Sequence, residues 1–441
     1  MRQSRGRPRQ PFLTEKGEPR LRAVLTPRGP IEYRPGQAII DLRRFDDGSD
    51  SPAQIVERVG KLAGVELRTD ETDAPQSARS RFLRVYFDPR IDLTDLLRRT
   101  DREIAPGAVV PNTVFRIGSF TADPMHFSGF GADPMHFSGF GADPMHFSNS
   151  STARPSIRPS LLDDFPRLSS GPGKASIAIL DTGIPVDGDK LPSDVEFVGI
   201  GSPCRDRADI NVDAYLDIAA GHTTFIRTII QRASPAADVM VEGVIHNDGD
   251  GDEFDIANAL QRVDEAVGDK SRLIVNLSFS GYYDGDVAPP VIAFWIRELV
   301  GQGAVVVAAA GNDGACRPKF PGAMPEVLAV GSLGPCGPSR FSNHGHWVDA
   351  SAPGEDLVSE FFSHFDGAYE AAVTGSVPDI DDFNGWAMWS GTSFATPTVV
   401  GALAEIVEAC NCSAKIAVDK LLRRPGLYRM PDYGVIVNRV F

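Results

Sequence analysis

Cysteine is scarce, five residues in 441, and the count is odd. That excludes a disulfide framework as the source of stability. Cys410 and Cys412 form a C-x-C pair, which two thiols beside a helix end explain better than a metal ligand set. No run of 18 or more apolar residues is present, so no transmembrane helix and no membrane partner are expected. Positive charge is in deficit: 44 Lys and Arg against 59 Asp and Glu, a formal net charge of −15. Such a chain is a poor binder of nucleic acid, and none is expected as a partner. The amino terminus is the exception, with eight basic and two acidic side chains from Met1 to Gly29 but no apolar h-region. It reads as a flexible basic tail (residues 1–32) and not as a secretory signal, so a cytoplasmic location is expected.

What is present suffices for a sizeable core: hydrophobic residues make up 42% of the chain. The length fits about three domains, or a catalytic domain with an appendage. Residues 33–117 read as a small α+β unit. A strand is expected over 37–42 after a turn at Pro35-Gly36, and a helix over 52–63 with Ser51 as N-cap. A strand over 81–87, a short helix over 93–99 and a last strand over 108–117 follow. That order predicts a ferredoxin-like sandwich. Three near-identical ten-residue units then follow from Gly118 to Phe147, sharing Ala-Asp-Pro-Met-His-Phe-Ser. The period is too short for a solenoid, and the composition predicts an extended linker over 118–160.

From Lys174 the texture changes. Apolar runs at 175–180, 239–245, 273–277, 304–310 and 327–330 read as buried strands. Helical stretches at 224–231, 253–267 and 290–300 alternate with them. This predicts a parallel α/β sheet with helices on both faces over residues 161–441. Chemistry in such sheets gathers at the carboxyl ends of the strands. Four segments stand there: Ile179-Leu-Asp181-Thr-Gly183, Gly221-His222, Ala309-Ala-Gly311-Asn312, and Gly391-Thr-Ser393-Phe-Ala-Thr-Pro397. Each suits acyl transfer. A serine hydroxyl needs an imidazole to take its proton, and the imidazole needs a buried carboxylate to fix its tautomer. The oxyanion needs preorganised donors, here the Asn312 amide and the Ser393 N–H at a helix start.

At these residues the chain resembles the subtilisin-like serine peptidases, whose triad order is also Asp, His, Ser. The resemblance extends over about 174–425. It implies Asp181, His222 and Ser393 as catalytic residues, Asn312 as oxyanion donor, a peptide or protein substrate and no required cofactor. The segment Ile274–Gly281 resembles the family's substrate edge, so Leu277, Ser278, Phe279, Ser280 and Gly281, with Ala309 and Gly311 opposite, are the expected substrate-binding residues. Family members often carry an amino-terminal prodomain that plugs the cleft, and residues 33–117 resemble one in size and position. The protein's own prodomain is therefore an expected partner in cis, in a zymogen; the repeats within 118–160 are either a spacer whose sequence nothing reads or the place of maturation, with Met125, Phe127 and their equivalents as cut sites.

The segment after the histidine departs from the family pattern. His222-Thr-Thr-Phe-Ile-Arg227 replaces the usual glycine and second histidine, and Arg227 stands where a small buried residue is usual. A catalytically silent binding or regulatory protein is the alternative this raises; a protease fused to its own repeat-peptide substrate is another. The acidic run His246–Glu253 offers a calcium loop by carboxylate density but lacks the bidentate glutamate of an EF-hand. A solvated loop at a helix start is the simpler expectation, and no metal ligands are assigned. Residues 358–386, rich in aromatics and acids, read as a surface excursion or a cleft rim.

Overall fold

The computed structural model describes residues 21–26, 28–45, 50–70, 81–117, 173–185, 198–200, 205–206, 208–209, 216–247, 249–362, 365–366, 380–381, 383, 385–423 and 425–437. Most of the basic tail, the three repeats and the rest of the expected linker lie outside the described residues.

The amino-terminal unit is built from β1 (Arg22–Thr26), β2 (Gly29–Asp41), α1 (Pro52–Ala63), β3 (Phe82–Tyr86), α2 (Leu93–Glu103) and β4 (Val109–Arg116). All strand pairings within it are antiparallel: β2 lies between β4 on one side and β3 with β1 on the other. The Arg68↔Tyr86 bridge marks a further chain crossing beside β3, which completes the split β-α-β order expected of a ferredoxin-like layer. Strand β2 begins eight residues before the expected start. Pro35-Gly36 does not end it: Gly36 takes a left-handed φ of 71°, and the register shifts between Tyr33 and Ala38. A bulge absorbs the turn signal inside one long strand. Helix α1 starts as its sequence dictates: Ser51 and Gln54 bond reciprocally as a capping box, and Gly64 closes the other end in the left-handed region.

The larger unit is a parallel sheet. Its strands are β5 (Ser176–Asp181), β6 (Asp238–Gly243), β8 (Leu273–Leu277), β9 (Val305–Ala309), β10 (Val327–Gly334), β11 (Ala350–Pro353) and β14 (Gly434–Ile436). The spatial order is β14-β11-β10-β9-β8-β5-β6, all parallel. The chain leaves β5 for β6 on one side and returns to β8 on the other. The end of β5 is therefore a topological switch point, where such sheets bind ligands.

Alternate residues of β5 face opposite layers, as a strand period of two requires. Ile177 and Ile179 join the cluster of α3 (His222–Ala233) and α6 (Thr392–Cys410). Ala178 and Leu180 join that of α4 (Glu253–Ala266) and α5 (Pro290–Gly301). Helix α6 is long and apolar enough to cross a membrane by composition, but 89% of its apolar window is buried in the protein. It is the core helix, followed by α7 (Ala414–Leu422).

The excursion before the serine is a hairpin in part. Strand β12 (Leu357–Glu360) pairs with β13 (Trp386–Trp389). Phe361, Phe362 and Trp389 are fully buried against α3 and α6. Phe361 and Phe362 are core, which corrects the expectation of a surface excursion at those two positions, whereas Trp386 is exposed.

Candidate active site

Asp181 ends β5 and is completely buried. A carboxylate there must be paired, and its Oδ1 accepts from the Thr182 N–H at 2.8 Å and lies 2.6 Å from His222 Nδ1. His222 is the first residue of α3, behind Gly221 in a left-handed conformation (φ 77°). Phe361 lies so close to Gly221 that a Cβ there would collide with its ring. The Gly221 N–H donates to both oxygens of Asp206 at 3.1 and 3.0 Å. Asp206 also accepts from the Thr182 hydroxyl and the Asn247 amide, each at 2.8 Å. It thus joins the β5 terminus to the start of α3. Burial pushes its carboxyl up to about 7, against the lowering effect of these donors. Sequence reading missed Asp206, because it sits in a stretch without helical or strand periodicity.

The unusual residues after His222 have structural partners. The Thr223 hydroxyl accepts from the Gly183 N–H at 3.0 Å and bonds the Thr182 hydroxyl at 3.1 Å, tying the helix to the strand end. Arg227 is buried, and desolvation lowers its pKa to about 10 while the charge of Glu360 on β12 works the other way. The hairpin therefore supplies the partner that a buried guanidinium demands.

Ser393 is the second residue of α6, where a backbone N–H has no intrahelical acceptor. Its hydroxyl donates to the Ser278 carbonyl at 2.9 Å, and the Ser278 hydroxyl donates to the Ser393 carbonyl at 2.8 Å. His222 is enclosed by Trp389 and Phe394, with ring centroids at 5.3 and 5.1 Å. Its Nε2 is buried without a partner. The structure thus joins Asp181 to His222, while the Ser393 hydroxyl bonds Ser278 and not the imidazole.

Asn312 follows β9. Its Oδ1 accepts from the N–H and the hydroxyl of Thr392 at 2.9 and 2.8 Å, which fixes the amide plane. Its Nδ2 is buried and unpartnered. Buried polar atoms without partners are uncommon and call for a reason. Two of them here, Nε2 and Nδ2, are the atoms that proton transfer and oxyanion binding would use.

The expected substrate edge carries a strand. Leu277 ends β8, and Ser280, three residues on, exchanges both backbone hydrogen bonds with Arg116 at 2.9 Å. On its other side, β4 pairs antiparallel with β7 (Asp250–Asp252), and the Ile117 N–H donates to the Gly249 carbonyl at 3.1 Å. The end of β4 is therefore held between two segments of the larger unit. Phe115 is fully buried, its ring edge-on to Phe279 at 6.2 Å. Ala309 ends β9, and Gly311 (φ 104°) faces Ser280.

The described carboxylates of the acidic run beside this edge are not solvated, contrary to the simpler expectation. Asp250 and Asp252 are buried; Asp250 pairs with Arg34 at 2.6 Å, and Asp252 with Arg84 at 3.4 Å. Asn112 of β4 accepts the Phe254 N–H at the start of α4. Glu253, wholly buried beneath it, accepts from the Val291 N–H at 3.0 Å, and burial pushes its carboxyl up to about 8. Among the described residues no group of three or more His, Cys, Asp or Glu is arranged to hold a metal ion.

An aspartate at the central strand end, a histidine opening the next helix and a serine opening the long core helix follow one another in the chain order that subtilisin also has. Residues 217–422 match the model of the Subtilase family. A thermophilic serine proteinase of Bacillus sp. (strain AK1) is 30% identical over 245 residues, 54% of this chain and 53% of that protein. An intracellular serine protease of Paenibacillus polymyxa is 28% identical over 268 residues, 57% of this chain and 71% of that protein. The match thus spans about half the length of the Bacillus protein. Among solved structures, the prenylagaramide maturation protease PagA aligns with a TM-score of 0.45 at 20% identity, covering 62% of this chain and 89% of that one. Residues 217–422 are thus similar to the Subtilase family, and Asp181 precedes the matched stretch but meets His222 within it at 2.6 Å.

Proposed function

We propose that the protein is a serine endopeptidase made as a zymogen. His222 Nε2 takes the Ser393 proton as Oγ bonds the substrate carbonyl carbon. The tetrahedral oxyanion is received by Asn312 Nδ2 and the Ser393 N–H. His222 returns the proton to the leaving amine as the C–N bond breaks, and water then releases the acyl group by the same steps in reverse. Asp181 holds the tautomer that leaves Nε2 free. The carrying observation is the 2.6 Å Asp181–His222 contact together with the unpartnered His222 Nε2 and Asn312 Nδ2. Catalytic hydrogen bonds of this kind often tighten only around substrate.

The amino-terminal unit is the proposed partner in cis. Support comes from β4, which adds as a strand at the expected substrate edge, as extended peptide ligands do. Substrates are peptides or proteins in extended form. A cytoplasmic location belongs to the same proposal; two relatives are named as intracellular proteases. The enclosed His222 and the serine bonded to Ser278 favour a second reading, a catalytically silent protein of the same fold.

Mass spectrometry of the purified chain over time, wild type against Ser393→Ala, tests the proposal. Ser393-dependent cutting between β4 and β5 supports it. Wild type and variant behaving alike contradict it.

A further inference from the structure

An amide that receives an oxyanion needs its backbone held as firmly as its side chain. Asn312 lies in the segment after β9, and the fully buried Asn343 lies in the segment between β10 and β11. The two segments are bonded along their length. The Gly314 N–H donates to the Phe341 carbonyl at 2.7 Å, and the His344 N–H to the Ala315 carbonyl at 3.1 Å. The Asn343 N–H donates to the Gly311 carbonyl at 2.9 Å, and Asn343 Oδ1 accepts from the Asp313 N–H at 3.0 Å. That carbonyl and that N–H belong to the two peptide groups on either side of the Asn312 Cα. Each group is planar, so tying both to one residue fixes the direction in which the Asn312 side chain leaves the backbone.

The rest of the Asn343 amide is spent on the same segment. Oδ1 also accepts from the Ala315 N–H at 3.0 Å, and Nδ2 donates to the Ala310 carbonyl at 3.0 Å and to Asp313 Oδ2 at 3.4 Å. Both acceptor and both donor positions are filled by residues 310–315, and a buried polar group so satisfied rigidifies what it touches. Space is filled as well. A Cβ built on Gly311, which holds a φ of 104°, would lie 2.6 Å from Asn343 Nδ2. The Asn312 amide is used differently. Thr392 holds its Oδ1, while its Nδ2 is buried without a partner. One asparagine is thus consumed in holding the segment, and the other keeps a donor in reserve.

Resting on the protease reading above, we infer that Asn343 is the positioning residue of the oxyanion donor: it clamps residues 310–315 so that Asn312 Nδ2 stands where the tetrahedral oxyanion forms. Asn343 acts through Asn312 and not on the substrate. A displacement of about 1 Å in a group that meets the reacting atoms lowers rates by about 10²-fold. Because the oxyanion exists only on the way through the transition state, the loss falls on kcat and not on KM.

The experiment is a double-mutant cycle on the full chain: wild type, Asn343→Ala, Asn312→Ala and the Asn312→Ala/Asn343→Ala double variant. Steady-state rates on a peptide substrate are counted per serine titrated with a fluorophosphonate, which removes any fraction lost to misfolding. Asn343→Ala lowers kcat by about 10–10²-fold with KM within about threefold. In the Asn312→Ala background the same change lowers kcat by no more than about threefold further, because the group it positions is already gone. Should the alanine variant fail to fold, Asn343→Ser, which keeps a small polar group in the buried space, makes the same test. An unchanged kcat per titrated serine, a change confined to KM, or losses that multiply in the double variant overturn the inference. Asn312→Ala turning over at the wild-type rate overturns it too, while a labelled Ser393 leaves the protease reading standing. A wild type that takes no label and cuts no peptide overturns the protease reading beneath it, and this inference falls with it.

Discussion

Removing one ring from β4 tests how the amino-terminal unit is held. Phe115 is 0% exposed and belongs to the apolar cluster of α4 and α5, not to the core of its own unit. It meets Phe279 edge-on, and its ring lies over Gly281. Phe115→Ala should cost about 3–5 kcal/mol, the usual range for a buried phenylalanine. Because that cluster lies across the interface, most of the loss falls on docking. At 1.4 kcal/mol per factor of ten, the undocked population rises about 10²–10³-fold. Hydrogen exchange reads this in a Ser393→Ala background, where the chain stays uncut. The Ser280 N–H donates to the Arg116 carbonyl at 2.9 Å, so its exchange requires the strand to leave. The expected outcome is Ser280 exchange faster by about 10²–10³, with the amides of Ile39 and Ile40 in β2 unchanged. Unchanged Ser280 exchange, or an equal rise throughout β2, would refute the assignment of Phe115 to the docking surface.

Asn312→Ala should lower kcat by roughly 10²–10³ with little change in KM, since the amide meets the oxyanion and not the ground state; steady-state kinetics on a peptide substrate checks this. Asp206 has a folded pKa raised to about 7 from 3.8, so the folded state holds its proton more tightly than the unfolded chain. Its contribution is fully present below about pH 4 and is lost as pH rises to about 7. Melting curves of Asp206→Asn against wild type should therefore show a difference in Tm that shifts in favour of the variant from pH 4 to 7 and is constant above; a pH-independent difference would contradict this. Glu360→Gln leaves the buried Arg227 without its compensating charge. About 2 kcal/mol of stability should be lost, less than for a wholly buried pair because Glu360 is half-buried, and urea unfolding measures it.

Much of the larger unit is legible because its signals are local and strong. Continuous apolar runs gave β8 its bounds to the residue, Leu273–Leu277, since a strand covered on both faces has no polar position to blur them. Asp181, His222, Asn312 and Ser393 were legible through their short motifs at strand ends and helix starts. What stayed hidden is set by distant pairing. Asp206 carries no periodicity, yet it caps the helix start fifteen residues later. Pro35-Gly36 reads as a turn, but pairing on both sides of β2 overrides it as a bulge. The acidic run reads as solvated because its arginine partners, Arg34 and Arg84, lie more than 160 residues away in sequence.

The most direct test of the central claim is labelling of the purified protein by a fluorophosphonate, which reacts only with an activated serine, followed by mapping of the modified peptide. A single modified residue is expected, Ser393, with labelling abolished by Ser393→Ala and slowed by orders of magnitude by His222→Ala. A folded wild-type protein that takes no label at Ser393, or one labelled at the same rate without His222, would contradict it.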